Sequence, residues 1–222
     1  MKGALLFLFS YCWLSEGKVL DWPGKNQATN ADKVNEFGEN LSGLSYESLD
    51  SNESDKFMYA IQNDPSTLYK LYWSGKNWLP VQTDYWSAGK LLHYGNGKGN
   101  PDSEDLTMTD DSSGSVYAAS EKDNDDSGTK RISVLMFEDL DKTTTLSATR
   151  EWILAELNSI STDVKNGIEA ITWIPDDFLV AHGFYDSLRK ATYDPSQYPG
   201  HGSGLFFVGM ERKMLSIVFI SL

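Results

Sequence analysis

Glu104 and Glu169 stand at the same position of a pattern that recurs along the chain. Two carboxylates brought to one place either bind a hard cation through oxygen or raise one another's pKa for acid-base work. The first copy of the pattern carries Ser42 at that position. A denser acidic group follows in Glu121-Lys-Asp-Asn-Asp-Asp-Ser-Gly128, where Asp123, Asp125 and Ser127 alternate ahead of Gly128 as in the first half of a calcium loop. Val134 stands where an EF-hand carries its closing acid, so an ion here would draw ligands from elsewhere. Asp102, Glu104 and Asp105 open the same repeat and would share that ion if the loop folds back. The candidate metal ligands are thus Glu104, Glu169, Glu121, Asp123, Asp125 and Asp126, with calcium as the expected ion. The competing account is that each glutamate caps a turn and that the acidic loop is a solvated hairpin.

Other chemistries have weaker anchors. His93, His182 and His201 form no close pair with the spacing of zinc ligands, and a histidine donating to a backbone carbonyl is the commoner arrangement. The glycine run at residues 95–99 lacks the Gly-Lys-Ser/Thr ending of a phosphate loop, and no helix pattern follows it. No Gly-x-Ser-x-Gly elbow is present to support serine hydrolase chemistry.

The elements that must position the acids recur three times. Ser42-Gly-Leu-Ser-Tyr46 is echoed by Glu104-Asp-Leu-Thr-Met108 and Glu169-Ala-Ile-Thr-Trp173, roughly 60 residues apart. Behind these lie Phe57-Met-Tyr-Ala-Ile61, Ser115-Val-Tyr-Ala-Ala119 and Phe178-Leu-Val-Ala-His182. A third phrase follows each: Thr67-Leu-Tyr-Lys-Leu71, Ser133-Val-Leu-Met-Phe137 and Gly204-Leu-Phe-Phe-Val208. Fourth strands are expected at 78–83, 151–154 and 215–222. The fold class expected is all-β and propeller-like, with three four-stranded blades over about residues 40–99, 100–165 and 166–222. Propellers usually have four to eight blades, so the ring would be incomplete or closed by a second copy in a homo-oligomer. Trp73-Ser-Gly-Lys-Asn77 reads as a hairpin, and residues 147–160 read as a strand followed by a short turn of helix.

Residues 1–17 read as a signal peptide, with Lys2 ahead of an apolar run at 4–14 and small residues before a cleavage point after Gly17. The run is shorter than the ~20 residues that span a bilayer. The single cysteine, Cys12, lies inside this leader, so the mature chain would depend on its core without disulfides. Processing removes one base, Lys2, and one acid, Glu16, leaving the net charge at −13. That balance argues against nucleic acid or an anionic membrane surface as partner and favours cations, basic proteins or mineral. Asn40 and Asn52 open glycosylation sequons; Asn40 adjoins an inner strand and Asn52 a polar run, which makes Asn52 the better acceptor.

Asn40-Leu-Ser-Gly-Leu-Ser, Asn100-Pro-Asp-Ser-Glu, Glu121-Lys-Asp-Asn-Asp and Pro199-Gly-His-Gly-Ser-Gly-Leu-Phe-Phe-Val208 resemble secreted proteins of the phytase-like group, sometimes labelled esterase-like, over roughly residues 37–209. The resemblance implies a propeller-type fold. In the related phytases acidic residues bind calcium, which accepts the phosphate substrate, and here those acids would be Glu104, Glu169 and the loop 123–126. Hydrolysis of a phosphate ester also needs Lys and Arg to offset substrate charge, and the bases of this chain are scattered. The leading expectation is a secreted, acidic, calcium-binding protein without catalytic function, a component of an extracellular or mineralised matrix whose partners are calcium, mineral surface or matrix proteins. A calcium-dependent phosphoesterase and a calcium-independent protein-binding propeller are the alternatives.

Overall fold

The computed structural model describes residues 37, 39–47, 57–110, 114–126, 130–154, 167–210 and 216–218, all within the compact unit Asp32–Leu222. Residues 1–17, expected as a leader and containing Cys12, the expected acceptor Asn52, and Ser127 and Gly128 lie outside the described residues.

The described residues are mostly β, with one short helix. The first repeat forms β1 (Leu41–Glu47), β2 (Phe57–Asn63), β3 (Ser66–Trp73), β4 (Trp78–Pro80) and β5 (Lys90–His93). The second forms β6 (Pro101–Met108), β7 (Val116–Asp123), β8 (Lys130–Phe137), β9 (Thr145–Ser147) and β10 (Arg150–Ile153). The third forms β11 (Ile168–Pro175), α1 (Asp176–Ala181), β12 (Tyr185–Asp186), β13 (Ala191–Thr192), β14 (Gly204–Met210) and β15 (Ser216–Val218).

Each repeat builds its own antiparallel sheet. β1, β2, β3 and β4 pair in sequence order; so do β6, β7, β8 and β10, and β11 pairs β14, which pairs β15. The expected hairpin closes β3 onto β4, with Ser74 N–H donating to the Asn77 carbonyl. Residues 150–153 are a strand, as expected. Among the described residues the sheets close into neither a barrel nor a propeller ring.

Alternation along the middle sheet explains how the three sheets stack. Val116 and Ala118 of β7, with Leu135 and Phe137 of β8, point toward Tyr59, Ile61 and Leu68 of the first sheet. Tyr117 and Ala119, with Ile132, Val134 and Met136, point the other way, toward Ile168, Ile171, Phe206 and Val208 of the third. A sheet buried on both faces must be apolar at consecutive positions, which is why β7 opens on Val116-Tyr-Ala-Ala119 and β8 ends on Val134-Leu-Met-Phe137.

Three expectations need correction. Phe178-Leu-Val-Ala-His182 is helical rather than a strand, and the Val-Ala step shared by the repeats has no common structure there. Pro175 at the N-cap and Asp176 and Asp177 in the first turn suit a helix start, and only Leu179 of α1 is buried. β14 therefore takes the second position in its sheet, and β15 is a third strand rather than a fourth. The first sheet is also wider than four strands, because β5 pairs β3 and β9, from the next repeat, runs parallel to β5. Leu92 and Leu146 are buried by that pairing.

The first strands of the three sheets lie side by side. Ile171 N–H of β11 donates to Asp105 Oδ2 of β6 at 2.9 Å, and Trp173 N–H donates to Thr107 Oγ1 at 3.2 Å. On the opposite flank Gly43 of β1 lets the strands close up: a Cβ there would lie 2.7 Å from the Asp105 Cα. Glu104 of β6 and Glu169 of β11 are thereby held near enough for their charges to interact.

Candidate metal centre

The acidic site is made by interruptions in the pairing of β6 with β7. The register passes from Pro101↔Asp123 to Ser103↔Ser120 and then to Asp105↔Ala119, so Asp102 and Glu104 on β6 and Glu121 on β7 fall in the irregular steps. Bulges of this kind turn side chains out of the regular ladder. Here they bring one carboxylate oxygen from each of Asp102, Glu104 and Glu121 within 4.8 Å of one another. Gly167, just before β11, leaves the space that Glu121 occupies, since a Cβ there would lie 2.5 Å from the Glu121 Cδ.

Asp102 is buried, and Lys122 Nζ forms an ion pair with its Oδ2 that offsets part of the acidic charge. That contact holds the Lys122 pKa above its ordinary value. Asn124 Nδ2 donates to Asp102 Oδ1 at 3.4 Å, and Asn63 Nδ2 reaches Glu104 Oε1 at 3.5 Å. The Asn63 Oδ1 is buried without a hydrogen-bond partner among the described residues. Burial pushes the Glu104 carboxyl up to about 7; the Asp102 charge adds to the rise, Asn63 opposes it, and Glu169 and Glu121 add smaller contributions. The uncharged form of Glu104 is thus within reach near neutral pH, because adding one more negative charge to this corner is unfavourable. A divalent cation among the same oxygens would remove the penalty by a different route.

Of the residues expected from sequence, Glu104 and Glu121 meet. Glu169 is exposed and near enough to raise the Glu104 pKa, but stands outside the close trio. Asp123 turns to the neighbouring loop, where its Oδ1 accepts from Asn100 N–H at 2.9 Å and Asp125 N–H at 3.1 Å. Asp125 and Asp126 are exposed at that turn and do not join the trio. Asp105, in the middle of the same strand, is taken up by the bond from Ile171, and burial raises its pKa. Asp102, two residues before Glu104 on β6, is the third member of the trio; Lys122, Asn63 and Asn124 were missed. Alternate acids at 102 and 104, facing an acid across a predicted hairpin, were the available signal.

All three histidines have Nδ1 within hydrogen-bond distance of a backbone carbonyl: His93 of Gly99, His182 of Phe178, and His201 of Tyr198. None belongs to the acidic trio. Asn40 is exposed and has a φ of 66°, so the shielding expected from its place beside an inner strand is absent.

Comparison with known proteins gives no match to a family model, a curated protein or a solved structure. The likeness to the phytase-like group therefore stands on its sequence phrases alone.

Proposed function

We propose that this chain is a secreted, acidic calcium-binding protein of an extracellular or mineralised matrix, its three stacked sheets being consecutive blades of an open propeller. The observation that carries the reading is the convergence of Asp102, Glu104 and Glu121 within 4.8 Å. A donor set made only of oxygen, without His or Cys, favours calcium, magnesium or manganese over zinc or copper. Calcium takes six to eight oxygens in flexible geometry, and carboxylates, amide carbonyls and water all serve. The Asn63 Oδ1 is a carbonyl oxygen of the right kind close at hand.

Calorimetric titration of the folded chain with calcium, followed by melting with calcium or chelator, tests the proposal. Saturable binding with a raised melting temperature is expected, since a ligand that binds only the native state stabilises it by about 2.7 kcal/mol at 100 times its Kd. No heat and no shift would remove the metal reading and leave a calcium-independent interaction module. The matrix role further requires adsorption to calcium mineral that weakens as salt rises.

The phosphoesterase reading draws on one feature, a carboxyl titrating near neutrality beside other acids, which suits a general acid-base group. In that reading bound calcium would supply charge neutralisation for the phosphate, with Lys122, paired to Asp102, a base placed to assist. Calcium-dependent release of phosphate from a simple ester would favour it over the matrix role.

A further inference from the structure

We propose that residues 176–203 form a cap over the outer face of the third sheet, held shut by one proton shared between His201 and Asp176 and released as pH rises. The cap is built from α1, the β12–β13 hairpin and a single 3-10 turn at Pro195–Gln197. Its Leu179, Phe184, Tyr193 and Tyr198 cluster with Ile174 of β11 and with Leu205 and Phe207 of β14. This apolar face is of the same kind as those buried between the sheets, and here the chain covers it with its own insertion.

The latch follows from counting donors. His201 is only 9% exposed, and both ring nitrogens face acceptors: Nδ1 meets the Tyr198 carbonyl, and Nε2 lies 2.8 Å from Asp176 Oδ2. A carbonyl cannot donate, and a carboxylate cannot either. The other Asp176 oxygen already accepts from Tyr193 O–H at 2.8 Å. Both histidine contacts are satisfied only while the pair keeps a proton beyond that of a neutral imidazole, either as imidazolium or on the aspartate. Once that proton passes to solvent, a nitrogen lone pair faces a carboxylate oxygen in a largely dry site, and one contact must break.

The groups around the pair would transmit the break through the cap. Tyr193 and Tyr198 stack with centroids 5.9 Å apart, and each presents an edge contact to the His201 ring. Tyr198 O–H donates to Asp186, whose other oxygen accepts from Leu188 and Arg189 N–H. The Arg189 guanidinium lies over the Tyr198 ring and bonds Gln197. Two residues beyond His201, Ser203 O–H donates to Asp110 Oδ1 at 2.9 Å, which fixes the cap's far end. The sign follows from proton count: wherever the opened imidazole is neutral, the closed cap holds one proton more, so closure weakens as pH rises through that range.

Hydrogen exchange of the full chain at about pH 5.5 and about pH 8.5, with rates corrected for intrinsic chemistry, tests this. Protection of peptides from 184–203 is expected to fall by up to about tenfold per pH unit, the limit for one proton, while β7 and β8 stay protected. In Asp176→Asn the amide N–H donates to a neutral imidazole and the amide oxygen still accepts from Tyr193, so protection is expected to become independent of pH. Equal wild-type protection at both pH values would overturn the proposal, as would an Asp176→Asn chain with the wild-type pH dependence. If that variant does not fold, the wild-type comparison decides.

Discussion

Replacing Glu104 and Glu121 together by glutamine is expected to abolish saturable calcium binding and, in chelator above pH 7, to make the protein more stable than wild type. The two effects have one cause. In the folded chain the Glu104 carboxyl titrates near 7 against an ordinary value of 4.5, chiefly through burial and the Asp102 charge. Between those values the folded state holds the proton and the unfolded state has lost it. Stability at this group is therefore greatest below the unfolded pKa, declines as pH rises through the window, and is fully lost above about 7. Solvent still reaches part of the side chain, so the cost is about 1–2 kcal/mol rather than the full value of the shift. Glutamine keeps the shape and removes the charge, which returns a few degrees of melting temperature above pH 7 and flattens the profile below it. Lys122 keeps its contact with Asp102 in the variant. Melting curves with calcium or chelator at about pH 5 and about pH 8 check each part. A variant no more stable than wild type in chelator at the higher pH, or one that binds calcium as wild type does, would overturn the account of the site.

The same site shows what a linear sequence reveals and what it withholds. That Glu104 and Glu121 share a neighbourhood follows from two adjacent strands joined by a hairpin, and the spacing of the repeats makes those strands readable. Which residues leave the ladder depends on the register of β6 against β7, and that is set by contacts on both faces of the middle sheet. Asp123 looked like a ligand because it alternates with Asp125; in the fold that alternation builds a turn, with Asp123 accepting the Asp125 N–H. Lys122 carries no signal of its own, since a base between acids reads as a solvated charge until Asp102 is seen buried beside it.

At the level of the fold, strands with one strong period were legible and pairings between distant segments were not. Nothing local announces that β9 pairs parallel to β5, because that contact depends on Leu92 and Leu146 sharing one core. Phe178-Leu-Val-Ala has the composition of a strand and lies in a helix, since Pro175 and two acids start a turn whose one buried side chain, Leu179, meets the sheet below. Tertiary packing decided that segment against its propensity.

Phe206→Ala is expected to remove about 3–5 kcal/mol of stability, the usual cost of emptying a fully buried aromatic site. Phe206 has no exposed surface, its ring lies 4.8 Å from Tyr117 of the middle sheet, and it sits in register with Trp173 of β11 and Val218 of β15. Tyr117 in turn packs near Trp152, so the cavity would open at the centre of the contact between second and third sheets. The middle sheet is shared by both cores, through Val116 and Ala118 on one face and Tyr117 and Ala119 on the other. A loss on one face must therefore be felt by the whole stack. Urea unfolding followed by tryptophan fluorescence and far-ultraviolet circular dichroism should show both signals moving together to lower denaturant, with the slope unchanged. Separate transitions, or a loss below about 1 kcal/mol, would mean that the third sheet is held by its cap and not by the middle sheet.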